Sequence, residues 1–386
     1  MKNLNEINFQ NIKKVGIRVD FNVPTNDSFQ ITDNTRLLRA KDTIDFILKN
    51  ECKILLLSHF GRPKEAFDEK FSFTNLIDQF SDILGYEIHL LPYEEFLQNG
   101  LKQFNESTNK ITLLDNIRFF EGEKKNDEAF SQSITNELDL FINEAFSASH
   151  RSHASVNQMA KNILSTPGLN FSKEVMAIKD IKNSTKRKLA IIGGSKVSTK
   201  IKTLLSLTQS CSNIFIGGAM ANNFLKYQGL AVGQSLLEED SEEMIKDIYT
   251  LANKSGCEIH LPTDVVLNDE QSLSIDRLSD QNQFSILDLS NHSIDVLEQL
   301  VQRSEIVLWN GPMGMIEDPR FAQGSSKLAH LLANSSCEVV IGGGDTLLAI
   351  NIAGVSFDHY HFVSTAGGAF LEALEDKELP GIIALQ

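Results

Sequence analysis

Four stretches of the sequence decide its fold: KLAIIGGSK (188–196), NIFIGGAM (213–220), IVLWNGPMG (306–314) and EVVIGGGDT (338–346). In each, a short apolar run stops at a glycine cluster and a helical pattern follows. This arrangement is typical of buried parallel strands in α/β proteins. Glycines at such a junction let backbone N–H groups approach a ligand, and the next helix directs its positive end there. We therefore predict a floor that binds a polyanion, most simply a nucleotide.

Length and composition limit the architecture and the partners. A chain of 386 residues is too long for one ordinary core, so two domains are expected. With 36 lysines and arginines against 51 aspartates and glutamates, the formal net charge is −15. Nucleic acids and anionic membranes bind basic surfaces, so we predict neither as a partner. An anionic ligand would need cations concentrated locally.

The cysteines and the N-terminus indicate a cytoplasmic protein. The four cysteines (Cys52, Cys211, Cys257 and Cys337) form no C-x-x-C pair, which favours free thiols over a zinc or redox motif. The first residues lack the apolar core of a secretory signal. No apolar run approaches the length of a membrane span.

Strands and helices alternate along both halves. The candidate strands outside the four opening stretches cover 15–22, 53–60, 87–92, 110–119, 138–146, 258–267 and 359–368. Residues 35–50 repeat apolar side chains at helical spacing. Strands separated by helices imply βαβ units. We predict an α/β fold of two domains, each a parallel β-sheet flanked by helices.

A helical segment over 171–183 divides the two halves. We predict an N-terminal domain over 1–170, a linker helix over 171–187 and a C-terminal domain over 188–369, with a cleft between the domains. The tail over 370–386 ends in the apolar GIIALQ, so it is expected to pack on folded protein.

Cations and polar side chains of the first half follow predicted strand ends. They are Asp20, Asn22, His59, Arg62, Arg118, His150, Arg151 and His153, with Arg36 at the start of the first helix. Ligands of open α/β sheets bind outside the carboxyl ends of strands, and arginine binds phosphate or carboxylate bidentately. We predict one anion-binding patch, in which protonated histidines add charge. The alternatives are surface salt bridges for each arginine and an Asx turn at Asp20 and Asn22.

In the second half, Lys196 and Lys200 lie one turn apart at a predicted helix start. A lysine there can follow a moving phosphoryl group, or it can simply be solvated. Neither a Walker A loop nor G-x-G-x-x-G is present. In GGGDT, Asp345 is an N-cap or a magnesium partner, and Glu317 is close enough along the chain to reach a ribose hydroxyl.

Nine motifs occur in the order found in one known family. They are RVDFNVP, SHFGRP, LLDNIRFFEGE, ASHRSHAS, GGSKVSTK, GGAMANNFL, WNGPMGMIE, GGGDT and STAGGA. Over nearly its full length the sequence resembles the phosphoglycerate kinase family. The resemblance implies two Rossmann-like domains joined by a hinge helix, with the C-terminal tail packing back on the first domain. It implies transfer of a phosphoryl group from 1,3-bisphosphoglycerate to ADP, giving 3-phosphoglycerate and MgATP in a closed inter-domain cleft. We expect the protein to be a monomer.

The resemblance also assigns binding residues. The acid substrate is expected at Asp20, Phe21, Asn22, Arg36, His59, Phe60, Gly61, Arg62, Arg118 and Arg151. The nucleotide is expected at Lys196, Lys200, Glu317, Gly343, Gly344, Asp345 and Thr346. Mg²⁺ is the expected cofactor, held mainly by nucleotide phosphates with Asp345 as its protein partner.

For the chemical step we predict that Arg36 and Lys196 flank the transferring group, aided by the N–H groups of Gly367 and Gly368. One departure from the family pattern lies nearby, because Ala366 stands where a glycine is usual. Its methyl group either crowds that loop or is tolerated at a negative φ. Two rival functions remain, an NAD-dependent dehydrogenase on a similar scaffold and a non-catalytic homologue that only binds.

Overall fold

The computed structural model describes residues 1–64, 66–279, 283–375 and 377–386. The chain folds into two compact units. Unit 1 comprises residues 1–176 and 378–386, and unit 2 comprises residues 177–377.

Unit 1 is built on a six-stranded parallel sheet in the order β3-β4-β2-β1-β5-β6. Its strands are β1 (Lys14–Arg18), β2 (Lys53–Leu57), β3 (His89–Leu91), β4 (Ile111–Leu114), β5 (Leu140–Asn143) and β6 (Ser165–Pro167). The first five confirm the predicted strands in shortened form. The sixth was not predicted, because its three residues, Ser-Thr-Pro, carry neither an apolar run nor alternation.

Helices cover the sheet of unit 1. They are α1 (Thr35–Lys49), α2 (Ile77–Leu84), α3 (Tyr93–Asn99), α4 (Lys102–Glu106), α5 (Glu121–Lys124), α6 (Glu128–Thr135), α7 (Gln158–Asn162) and α8 (Leu169–Asn183), which continues into unit 2. In α1, Leu37, Ala40, Ile44 and Ile47 are buried. Their spacing of three and four residues forms one apolar stripe, which packs on the sheet.

Unit 2 contains two sheets. Its strands are β7 (Lys188–Ile192), β8 (Asn213–Ile216), β9 (Glu258–His260), β10 (Asp264–Leu267), β11 (Ser272–Ser274), β12 (Ile286–Leu289), β13 (Ile306–Asn310), β14 (Glu338–Gly342) and β15 (Phe362–Ser364). The parallel sheet has the order β15-β14-β13-β7-β8-β9. Its four central strands are the four apolar runs that end in glycines, so those ends lie side by side as predicted.

One strand prediction in unit 2 is wrong. The segment over 258–267 is two strands rather than one, since Pro262 lies between β9 and β10. Proline cannot donate to a ladder, so it separates them. β9 stays in the parallel sheet, whereas β10 pairs antiparallel with β11 and β12 in a small second sheet.

The helices of unit 2 that follow α8 are α9 (Ile201–Ser210), α10 (Met220–Tyr227), α11 (Glu242–Ser255), α12 (Asn291–Gln302), α13 (Gln323–Ala333), α14 (Gly344–Ile352) and α15 (Gly368–Leu374). α15 packs on α9, so the tail belongs to unit 1 from residue 378 rather than from 370. There α16 (Pro380–Ile383) packs near Ser149, whose carbonyl accepts from the N–H of Gly381 at 2.9 Å. Among the described residues, no helix is long and apolar enough to cross a membrane.

Candidate active site

Arg36, in the first turn of α1, is oriented by the loop that follows β1. Its Nη1 lies 3.2 Å from Oδ2 of Asp20 and donates to the carbonyl oxygen of Asn22 at 2.8 Å. Ser147 also donates to Oδ2 of Asp20, at 2.5 Å. Asp20 therefore orients a guanidinium group, and the alternative of an Asx turn alone does not account for its contacts.

The loops after β1, β2 and β4 are tied together through Gly61. Its N–H donates to Oδ1 of Asn22 at 2.8 Å, and its carbonyl accepts from Nη1 of Arg118 at 2.5 Å. Gly61 has a φ of +59°, and a Cβ here would lie 2.3 Å from the ring of Phe71. Only glycine fits this conformation and space. Asn22, Gly61 and Arg118, all predicted site residues, are thus brought together.

The aromatic side chains predicted at the acid-substrate site are buried. Phe21 is fully buried and Phe60 is 7% exposed. The backbone N–H of Phe21 donates to Ser58, and that of Phe60 donates to Asn116. Both residues hold the strand ends in place, and neither ring is presented at the surface.

His59 is neutral, which corrects the prediction that histidines add charge here. It is 8% exposed. Burial lowers its pKa well below the usual 6.5, and the repulsion of Arg18, Arg118, Arg151 and Arg36 lowers it further. His59 therefore offers a hydrogen bond without a positive charge at neutral pH.

The arginines of unit 1 repel one another. Burial lowers the pKa of Arg118 to about 10, and Arg151, Arg18 and Arg62 add repulsion. Arg62 is exposed and Arg151 is half-buried. A group of cations held this close in a chain of charge −15 is favourable when an anion binds between them.

Two buried charged residues behind this cluster were missed by the sequence interpretation. Arg18 is 2% exposed and Glu123 is fully buried, and Ser155 bonds to both. The signal was present, since Arg18 interrupts the apolar run VGIRV. A charged residue is almost never fully buried unless it is paired.

Several glycines at the carboxyl edge of unit 2 make room for neighbouring loops. A Cβ at Gly193 would lie 2.0 Å from the carbonyl oxygen of Pro312, and one at Gly311 would lie 2.4 Å from that of Gly193. A Cβ at Gly218 would approach the N atom of Gly194 to 2.7 Å. The N–H groups of Gly193, Gly218 and Gly311 also donate within the fold, so these three do not offer a free donor to a ligand as the sequence had suggested.

Three other glycines do face open space. A Cβ added at Gly344, Gly367 or Gly368 would meet no atom within 4 Å. Gly344 begins α14 and Gly368 begins α15. These helix starts therefore have accessible backbone N–H groups of the kind that bind phosphate. Ala366, which directly precedes Gly367, is buried and has a negative φ, so its methyl group is tolerated.

In the GGGDT loop, the side chain of Thr346 is buried and bonded within the fold, whereas that of Asp345 is exposed. Thr346 is fully buried, and its hydroxyl accepts from the N–H of Gly311 and donates to the carbonyl of Gly342. Its N–H donates to the carbonyl of Gly343 at 3.1 Å, so Thr346 holds the turn together and offers neither group to a ligand. Gly343 is the N-cap of α14, so the interpretation of Asp345 as a cap is wrong. The Asp345 carboxylate is exposed in the first turn.

Lys196 and Lys200 differ in their surroundings. Nζ of Lys200 donates to the carbonyl of Gly193 at 2.6 Å and to Oδ1 of Asn310 at 2.6 Å. Burial lowers its pKa to about 8. Lys196 is exposed and precedes α9, which begins only at Ile201. The expected helical pair is therefore one structural and one solvent-facing lysine.

A cavity of about 330 Å³ lies at the same edge of unit 2. Its apolar wall includes Leu225, Leu236, Val265, Ile286, Met313 and Ile316. Ser195, Glu317 and Asp345 supply polar groups in its lining. The size and the mixture of an apolar wall with a few polar groups suit a small cofactor or a nucleotide base. Glu317 is exposed here, as its predicted ribose contact requires.

Asp288 is a buried carboxylate in the lining of this cavity that the sequence interpretation missed. It accepts from the N–H groups of Gly324 and Leu289, each at 2.8 Å. A Cβ at Gly314 or Gly324 would lie within 2.4 Å of its Oδ1. Burial raises the pKa of Asp288 to about 7. The carboxylate joins β12 to the start of α13 beneath the cavity.

No group of three or more histidine, cysteine, aspartate or glutamate side chains could hold a metal ion in the part of the chain that the structure describes. An ion at this edge would have few protein ligands. Asp345 and Glu317 are the exposed carboxylates that line the cavity.

Each unit thus presents an edge of strand ends suited to an anion, and the class is that of an α/β phosphotransferase. The phosphoglycerate kinase family model matches residues 4–377. The chain therefore belongs to the phosphoglycerate kinase family, which confirms the family and the two-domain α/β fold predicted from the motifs.

Relatives and solved structures agree with this assignment. The phosphoglycerate kinase of Prochlorococcus marinus (strain MIT 9312) is 42% identical, covering 97% of this chain and 95% of that protein. That of Wolbachia sp. subsp. Drosophila simulans (strain wRi) is 37% identical, covering 97% of this chain and 96% of that protein. The Coxiella burnetii phosphoglycerate kinase structure covers 100% of this chain and 98% of its own, with 32% identity and a TM-score of 0.87.

Proposed function

We propose that the chain catalyses reversible phosphoryl transfer from 1,3-bisphosphoglycerate to ADP, giving 3-phosphoglycerate and ATP. The observation that carries the proposal is the cluster of close arginines at the carboxyl edge of unit 1, in a chain of charge −15. Such a cluster suits a substrate that carries both phosphate and carboxylate groups.

The acid substrate binds to unit 1. Arg62, Arg118 and Arg151 bind its 3-phosphate and carboxylate, and His59 donates a neutral hydrogen bond. Asp20 and Asn22 act mainly through Arg36 and Gly61, to which they are bonded. Phe21 and Phe60 shape the site from below, since their side chains are buried.

The nucleotide binds to unit 2. The base enters the apolar cavity, and Glu317 accepts from a ribose hydroxyl. The backbone of Gly343 and Gly344 at the start of α14 binds phosphate, aided by the positive end of the helix, and the buried Thr346 holds this turn in shape. Lys196 is exposed and can follow the transferring group, whereas Lys200 stabilises the strand ends beneath the site through Gly193 and Asn310.

Mg²⁺ is the expected companion of the nucleotide. The donor set fits an ion bound mainly by phosphates and water, because Asp345 offers one exposed carboxylate and Mg²⁺ rarely uses an all-protein cage. When bound, the ion neutralises phosphate charge. Asp345 is the residue of this chain that would contact it.

The chemistry needs little from the protein beyond position and charge. A terminal oxygen of the ADP β-phosphate attacks the 1-phosphate phosphorus, the P–O bond to the acyl group breaks, and the carboxylate leaves. No proton moves, so no general base is required. Arg36, Lys196 and the N–H groups of Gly367 and Gly368 stabilise the charge on the transferring group.

The test is a coupled assay with purified protein. We expect ATP to form from 1,3-bisphosphoglycerate and ADP, and the reverse reaction to consume ATP only when 3-phosphoglycerate is present. Binding of both substrates without turnover would instead favour the non-catalytic homologue, and nicotinamide-dependent activity would favour the dehydrogenase. We also propose a monomer, which light scattering would show as the mass of one chain.

A further inference from the structure

A buried chain of hydrogen bonds in unit 1 leads from Glu123 to His59. The hydroxyl of Ser155 donates to Oε1 of Glu123 at 2.7 Å, and its backbone N–H donates to Oε2 at 2.8 Å. Nε of Arg18 then donates to that hydroxyl oxygen at 2.9 Å. At the other end of the guanidinium group, Nη2 lies 3.1 Å from Nδ1 of His59.

The chemistry of arginine decides the proton position on His59. A guanidinium group has five N–H donors and no acceptor, so its partner must accept. Nδ1 of His59 therefore carries no hydrogen, and the ring hydrogen is on Nε2. The charged ring, protonated on both nitrogens, would turn a donor toward Arg18, which agrees with the lowered pKa of His59.

Each nitrogen of the Arg18 side chain already bonds to a neighbour, and the side chain is buried away from a substrate. Nη1 donates to the carbonyl oxygen of Val19, Nε to Ser155 and Nη2 to His59. The side chain is 2% exposed. Any effect of Arg18 on substrate binding must therefore pass through a neighbour.

Nε2 of His59 is the ring nitrogen that remains available to bind a substrate. Within the described residues, Nε2 has no hydrogen-bond partner, and Nδ1 is the only ring nitrogen in use. A neutral Nε2–H can donate to a carboxylate or phosphate oxygen without adding charge to an already repelling cluster.

We propose that Arg18 is a positioning residue, held by Ser155 and Glu123, which keeps His59 in a single neutral form that donates from Nε2 to the acid substrate. The proposal rests on the proposed function for the identity of that substrate. The state of His59 in the free protein does not depend on it.

The first test is nitrogen NMR of the histidine side chains in the full chain without substrate. We expect His59 to show a protonated Nε2 and an unprotonated Nδ1 across neutral pH. In Arg18→Met we expect both tautomers and a pKa shifted toward 6.5. Arg18→Lys, which keeps one donor, should restore the single form. An unchanged His59 spectrum in Arg18→Met would overturn the proposal.

A second variant protects the test against misfolding of Arg18→Met. Ser155→Ala removes the bond to Nε but leaves the guanidinium group in place. We expect a partial shift toward mixed tautomers. The exposed Arg303→Met serves as the matched control for loss of an arginine and should leave the spectrum of His59 unchanged.

Kinetics then separate positioning from mere stability. We expect Arg18→Met to raise the KM for 3-phosphoglycerate about tenfold, the usual effect of losing one hydrogen bond, with a smaller change in kcat. In a His59→Gln background the same substitution should add almost nothing. Equal effects in both backgrounds would show that Arg18 does not act through His59. If the wild type transfers no phosphoryl group at all, the proposed function fails while the NMR result still stands.

Discussion

The ammonium group of Lys200 lies 2.6 Å from Oδ1 of Asn310 and 2.6 Å from the carbonyl oxygen of Gly193. One side chain thus joins the ends of β7 and β13, the two central strands of the unit 2 sheet. The same group is positively charged beside the proposed phosphate site. Burial of this charge lowers the pKa of Lys200 to about 8.

Lys200→Met should change how stability depends on pH. A lowered pKa means that the folded protein favours the neutral amine. The contribution of Lys200 is therefore full above its unfolded pKa of 10.5 and is lost as pH falls through about 8. We expect wild-type stability to gain about 2 kcal/mol relative to Lys200→Met between pH 7 and 9.5. Urea unfolding of both proteins at the two pH values measures this.

Lys196→Met is the control for that experiment, because Lys196 is exposed and lies four residues away. Its stability curve should follow that of the wild type at both pH values. If Lys200→Met also kept the wild-type pH dependence, the ammonium group would not be desolvated in the folded protein.

Substitution of Gly344 should separate binding from folding. A Cβ there meets no atom within 4 Å, so Gly344→Ala should fold normally and gain up to about 1 kcal/mol from helix propensity. The methyl group would nevertheless occupy the space before the N–H groups of α14. We expect the KM for ATP to rise about tenfold, the loss of roughly one hydrogen bond. Steady-state kinetics and thermal unfolding report the two effects.

Gly193→Ala is the matched comparison and should behave in the opposite way. Its Cβ would lie 2.0 Å from the carbonyl oxygen of Pro312, so the loops must shift. We expect a loss of about 2 kcal/mol or more in stability. An unchanged KM for ATP in Gly344→Ala would remove the start of α14 from the phosphate site.

The difference between these two glycines also shows what the sequence can predict. Apolar runs ending in glycines located the four central strands of unit 2, because burial and turn chemistry are local signals. Whether a glycine faces a ligand or a neighbouring loop depends on which strand lies beside it. Gly193 meets Pro312 only because β7 and β13 are adjacent, although they are more than one hundred residues apart in the chain.

Protonation states likewise could not be predicted from the sequence. The motif SHFGRP correctly placed His59 among the cations, yet its neutral state follows from burial and from Arg18, which lies on another strand. Asp288 was missed for a similar reason, since its carboxylate accepts from the N–H groups of Leu289 and of Gly324, which lies on α13. The sequence identifies which residues are ionisable, but their protonation states depend on neighbours that only the folded structure brings together.

Asp345→Asn should raise the requirement for magnesium. The carboxylate is exposed at the start of α14 and lines the cavity, and an amide is a weaker ligand for a hard cation. At fixed ATP we expect the free Mg²⁺ concentration for half-maximal rate to rise about tenfold, as for a lost ligand contact. Removal of Mg²⁺ with a chelator should stop turnover of both proteins.

The control is Asp247→Asn, an exposed aspartate of α11. It should keep the wild-type magnesium dependence. Identical curves for Asp345→Asn and the wild type would mean that the nucleotide alone holds the ion.

Arg36→Ala should lower kcat by a factor of about 10² to 10³, the size of effect found when one charge-stabilising donor is removed. Arg36 is held by Asp20 and by the carbonyl of Asn22, and its assigned role is to stabilise charge that develops on the transferring group. An interaction stronger in the transition state lowers kcat and kcat/KM together. We therefore expect little change in the KM for 3-phosphoglycerate.

Lys49→Ala, which removes an exposed cation at the other end of α1, should keep wild-type kinetics. A raised KM at unchanged kcat would instead make Arg36 a residue that binds substrate and transition state equally.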